Sequence, residues 1–87
     1  MKGSEKQIKW AEDIIAGARK IIADNIQLNK NREAEYGAGI YSRRAEQWEK
    51  VSAQIEAAIA KCDDAAIIIN KRAIFGYDGL CKWVDRM

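Results

Sequence analysis

SEKQIKWAEDIIAGARKIIADNIQL, residues Ser4 to Leu28, decides the fold. Ile8, Ile15 and Ile22 recur every seven residues, Ile14, Ile21 and Leu28 repeat the pattern in a second row, and Ala11 and Ala18 lie between the rows. Positions three, four and seven apart share one face of an α-helix, so the stretch predicts an amphipathic helix with a broad apolar stripe. Ser4 is placed to cap the first turn, and Gln7, three residues on, to reach back to the Ser4 amide as a capping box.

Outward from this helix, Asn29-Lys30-Asn31-Arg32 interrupts the apolar rhythm, and its two Asn favour a stop near Leu28 to Asn31. The alternative is one more turn through Arg32-Glu33-Ala34-Glu35. Tyr36-Gly37-Ala38-Gly39-Ile40-Tyr41 reads as a loop, since each Gly costs a helix about 1 kcal/mol relative to Ala. Ser42 is a second candidate cap, after which Ala45, Trp48, Val51, Ser52, Ile55, Ala58, Ile59 and Cys62 recur at three- and four-residue steps. Asp63 and Asp64 end this second helix and offer a cap for a third. Ala65 to Arg72 contains three consecutive Ile that suit a buried strand, yet no other segment offers it a strand partner. A short helix wedged between the two long ones is the expectation. Ala73 to Gly79 reads as a turn-rich connection, and Asp78 as the cap of a last short helix with Leu80, Trp83, Val84 and Met87 apolar. The predicted fold is all-α: a single domain over residues 1–87, with two long antiparallel helices, about 4–30 and 42–62, closed by one or two short C-terminal helices.

Composition agrees. The chain has 87 residues, no Pro and 48% hydrophobic residues, enough for one compact helical core. Fifteen basic against thirteen acidic residues leave a net charge of +2, which argues against a dedicated nucleic-acid binder. No run reaches the roughly 20 apolar residues of a membrane span, and Met1-Lys2-Gly3-Ser4-Glu5 has no signal-peptide core, so a soluble, cytoplasmic protein is expected. Without His, Cys62 and Cys81 cannot close a metal site, and two reduced thiols, with no metal and no cofactor, are expected.

Gly3-Ser4-Glu5-Lys6-Gln7, Trp10-Ala11-Glu12 and Ile14 together resemble a run, Gly-Ser/Thr-Glu-Lys-Gln-x-x-Trp-Ala-Glu-x-Ile, that opens short proteins of Gram-positive bacteria, their phages and mobile elements. A second signature of that group, near Asp-Ala-Lys-Phe-Trp-Ile-Asp-Asn-Arg, is matched here by Asp64, Ala65, Ile69 and Arg72, with Ile67 and Ile68 where the aromatic pair would stand and Asn70 and Lys71 departing as well. The resemblance implies origin more than activity: a small accessory protein, in a bacterial host cell, that binds a host factor. It carries over no catalytic residue, and Arg32 to Lys61 matches nothing in the group.

No constellation of base, nucleophile or paired carboxylates stands out, so an enzyme is not expected. Asp63-Asp64 reads as a cap, and Tyr36 to Gly39 lacks the strand and the Gly-Lys-Ser/Thr of a phosphate loop. Tyr36, Tyr41 and Tyr77 on predicted loops, with Arg43 and Arg44 next to Tyr41, are the candidate partner-binding residues, because Tyr supplies large contact area with little entropy loss. The expected function is a protein-binding module that blocks a host protein surface, an anti-defence or anti-CRISPR inhibitor being its sharpest form. Three basic pairs, Arg19-Lys20, Arg43-Arg44 and Lys71-Arg72, give the alternative, a small nucleic-acid-binding factor, if they meet on one face. A third alternative is a structural homo-oligomer, a homodimer seated on the leftover apolar edge of Ile8 to Leu28.

Overall fold

The computed structural model describes residues 1–37 and 39–86. The parts of the loop and of the last helix predicted at Ala38 and Met87 lie outside the described residues. The fold is all-α. Helix α1 spans Glu5–Tyr36 and α2 spans Ile40–Lys61; three short segments follow, α3 (Ala65–Asn70), α4 (Arg72–Phe75) and α5 (Tyr77–Asp85). At 1.5 Å per residue, a 32-residue helix is about 48 Å long, which matches the molecule's longest dimension of 48 Å against 19 Å in the other two. α1 is therefore the spine along which everything else packs.

The start of α1 is as its sequence demands. The Ser4 hydroxyl accepts from the Gln7 amide at 3.2 Å, and the Gln7 side chain accepts from the Ser4 amide at 3.0 Å. Two of the orphan amides at the helix start are thereby satisfied. Ala11, Ile15, Ala18 and Ile22 are buried against Trp48, Val51 and Ile55 of α2, and Ile8, Ile14 and Ile21 are half-buried beside them. Leu28, last in its row, is exposed, because the core does not extend that far along α1.

The C-terminal end of α1 overruns the expected stop near Leu28 to Asn31 and follows the alternative of a further turn through Glu35. The helix runs past Asn29 and Asn31 to Tyr36, and the Gly37 amide closes it on the Glu33 carbonyl at 2.7 Å. Each of Asn25 and Asn29 turns its side-chain amide back onto the helix, to the Ile21 and Asn25 carbonyls at 2.8 Å, so residues that often end helices are here absorbed into one. The expected six-residue loop is correspondingly short: Tyr36, Ile40 and Tyr41 are helical. Gly37 (φ 90°) and Gly39 (φ 132°) occupy conformations other residues adopt only under strain, and they make the reversal. Gly39, not Ser42, precedes the first turn of α2, and the buried Ser42 hydroxyl oxygen has no hydrogen-bond partner among the described residues.

Asp64 caps α3 as predicted, accepting from the Ala66 amide at 2.9 Å. The Ile67–Ile69 run is helix rather than strand. Of the two long helices it packs on α1 and not on α2, with Ile68 and Ile69 buried and Ile67 exposed. The junction before it is tied to the start of the chain. The Lys2 amide donates to the Asp63 carbonyl, and the Ala65 amide to the Lys2 carbonyl at 2.8 Å, an isolated parallel bridge.

The predicted turn over Ala73 to Gly79 is instead α4, a bend at Gly76, and the first turn of α5. Asp78 lies inside that first turn, favourable to the helix dipole but not its cap. Phe75, Leu80 and Val84 complete the core. Cys62 and Cys81 are unpaired and half-buried.

Gly17 provides a simple check on α1. It sits mid-helix, and a methyl carbon added there would meet nothing within 4 Å. Gly17→Ala is expected to stabilise the protein by about 1 kcal/mol, the ordinary helix-propensity difference. A rise in the thermal midpoint checks it; a fall would place a neighbour where the packing leaves space.

Candidate functional site

The end of the molecule where α1 turns into α2 carries the sequence-predicted aromatic residues. Extension of α1 to Tyr36 and the early start of α2 put Tyr36 and Tyr41 on facing helix ends, with ring centroids 5.9 Å apart and planes tilted by 33°. The Arg32 guanidinium, one turn before Tyr36, lies 5.9 Å from the centre of the Tyr41 ring, within cation–π range. α5 returns to this end and adds Tyr77.

Between the three helices lies a groove of about 300 Å³. α1 supplies Asn25, Leu28, Asn29 and Arg32; α2 supplies Ile40, Tyr41, Arg44 and, as floor, Trp48; α5 supplies Tyr77 and Cys81. Arg44 Nη1 donates to Asp85 Oδ1 at 2.9 Å, which pins α5 to α2. Tyr77 is exposed; the Cys81 thiol, one turn along α5, holds its phenol above the ordinary range, while Arg44 pulls the other way.

Of the candidate partner-binding residues, Tyr41, Arg44 and Tyr77 line one groove and Tyr36 stacks on its edge. Arg43 is exposed outside it. Leu28, Arg32, Ile40, Asn25 and Asn29 were not among the predicted site residues. The signal for Leu28 was its place as the last apolar residue of a stripe for which α2 had no partner left.

The basic pairs are dispersed. Arg19 makes a two-pronged contact with Glu56, Nε to Oε1 at 2.7 Å and Nη2 to Oε2 at 2.9 Å, and Lys20 pairs with Asp24 at 3.0 Å. Arg72 lies 5.5 Å from the Trp10 ring centre and donates to the Ile69 carbonyl. Lys71 is exposed. Arg72 thus sits near the start of α1, Arg19 near its middle and Arg44 toward its far end.

No family model, curated protein or solved structure matches the chain. Among the described residues, no group of three Cys, Asp or Glu side chains converges as a metal site. Also among them, no helix is long and apolar enough to cross a membrane.

A second, wider cleft of about 690 Å³ lies between α2, α4 and α5, walled by Ile74, Trp83 and Gly79 with Lys82 and Arg86 on its rim. Both cations stand at the C-terminal end of α5, where they complement the helix dipole. Trp83 is held by a 2.7 Å bond from its indole nitrogen to Gln54. That bond ties α5 to α2.

The Arg19–Glu56 contact predicts a pH dependence. The hydrogen bond from Arg19 holds the Glu56 carboxyl below its ordinary range, and desolvation opposes it. A carboxyl lowered in the folded state adds stability above its unfolded pKa and loses it as pH falls through the folded one. Both side chains are about half exposed, so the pair contributes at most about 1 kcal/mol. Glu56→Gln is expected to lower the melting temperature slightly at neutral pH and not at all below the carboxylate range. An equal loss at both pH values would mean that the charge plays no part.

Proposed function

We propose that the protein is a non-catalytic binding module that docks its hairpin end onto a protein partner. The observation that supports this is the exposed surface around the groove. Leu28, Tyr36, Ile40 and Tyr77 leave 44, 68, 68 and 57% of their area open to solvent, next to Arg32 and Arg44. Large apolar and aromatic side chains beside Arg are the composition of interface hot spots. In this reading the partner is a host protein whose surface becomes blocked. The resemblance of the first dozen residues to phage and mobile-element proteins supports an anti-defence inhibitor, an anti-CRISPR protein being one form.

The test is affinity capture from a bacterial lysate, with and without nuclease, using the native protein and Ile40→Asp. Ile40 is exposed at the first position of α2, where an acidic residue suits the helix dipole, so the variant folds normally. A stoichiometric protein that survives nuclease and is lost with Ile40→Asp is the expected result. Partners that vanish with nuclease would overturn it in favour of nucleic-acid binding through the basic pairs. Return of the bait alone would leave the homo-oligomer.

A further inference from the structure

Resting on the docking reading above, we infer that the groove accepts an acidic, aliphatic peptide segment of the partner, with Arg32 as the residue that engages its carboxylate. The charges lining the groove are Arg32 and Arg44, and no carboxylate is among its described lining residues. Glu33 and Glu35 follow on α1 but do not line it.

The two arginines differ. Arg44 already spends its charge on Asp85, at 2.9 Å. Arg32 has no ion-pair partner among the described residues; its guanidinium carbon lies 5.9 Å from the centre of the Tyr41 ring. The contact uses none of its N–H groups, which stay available for a two-pronged bond to a carboxylate.

The neutral lining favours peptide over phosphate. Asn25 and Asn29 each use one side-chain N–H on a backbone carbonyl, which leaves their side-chain oxygens as acceptors, each beside one further N–H. A peptide segment brings N–H donors for these oxygens together with a carboxylate for Arg32, whereas a phosphate brings acceptors only. Leu28 and Ile40 offer the apolar contact that an aliphatic side chain would fill. At about 300 Å³ the groove is at the small end of ligand-sized sites, suited to a few side chains of one segment. A second copy of this chain fits poorly, because a twofold contact sets the same patch against itself and would bring Arg32 and Arg44 against their own equivalents.

The experiment is a titration of the ¹⁵N-labelled protein with a short, end-capped peptide alternating Glu and Leu, and with the same peptide carrying Lys for Glu. Saturable shifts at Leu28, Ile40, Tyr41 and Tyr77 with the acidic peptide alone, weakened by salt, are expected. Arg32→Glu should weaken that binding by about tenfold or more, as for an interface arginine, while Arg43→Glu on the exposed side of α2 leaves it within about twofold. No response to either peptide, an equal response to both, or an equal loss for the two arginine variants would overturn the inference. So would displacement of the peptide by oligothymidine, which points to nucleic acid, or shifts that follow protein concentration alone, which point to a second copy. Capture of a partner that is lost with Ile40→Asp but kept with Arg32→Glu would remove the acidic segment and leave the docking surface standing.

Discussion

Trp48→Ala is expected to cost about 3–5 kcal/mol of unfolding free energy, the range for a fully buried aromatic truncated in a core. Trp48 is 2% exposed and belongs to the cluster formed with Ile15, Ile22, Val51 and Ile55. A chain of this size has a total stability of roughly 5–15 kcal/mol, so the variant should be partly unfolded near room temperature at the low end of that range. Urea denaturation followed by far-UV circular dichroism reads the loss directly. Trp48→Phe, which keeps one ring, should lose clearly less. A deficit for the alanine variant below about 1 kcal/mol, the level of a surface change, would mean that the two long helices meet elsewhere. Because Trp48 also floors the groove, the phenylalanine variant is the one in which to ask whether groove binding survives a smaller floor.

Gly79→Ala is the second large effect, and its sign is what makes it informative. In an open helix this change stabilises by about 1 kcal/mol, as expected at Gly17. At Gly79 the new methyl carbon would stand 2.7 Å from both the Cα and the carbonyl oxygen of Ile74, and would collide with the Ala73 carbonyl oxygen. These are backbone atoms of α4, which cannot swing aside as a side chain does. α5 would have to move away, and with it Leu80 and Val84, both fully buried. Overpacking of this kind costs about 1–3 kcal/mol, sometimes more. The loss should be visible as a lower urea midpoint beside a raised one for Gly17→Ala. If both variants gain stability, α4 and α5 do not approach as closely as described.

Local chemistry was legible in the sequence. The capping box at Ser4 and Gln7, the burial of Ile15, Ile22 and Trp48, and the Asp64 cap each depend on residues a few positions apart, and each is where its spacing placed it. What failed depended on distant partners. Asn29 reads as a helix stop on propensity, but in the fold it is buried and bonded back to its own helix, so α1 continues. Gly79 reads as a bend, because its reason for being glycine is a neighbouring helix rather than its own dihedral angles. Ser42 reads as a cap, yet the two glycines before it set where α2 begins. The groove shows the same division. Tyr36, Tyr41, Arg44 and Tyr77 were visible as residue types suited to recognition, whereas Arg32 acquires its place only when α1 extends and α5 folds back beside it.

The parallel bridge at Lys2 closes the chain on itself at the end opposite the groove. Its two backbone bonds, to Asp63 and from Ala65, join the segment before α1 to the start of α3. Loss of that residue's pairing would free the Ala65 amide while α3 stays packed on α1. The Ala65 amide should then exchange with solvent in step with the opening of the first residues, not with global unfolding.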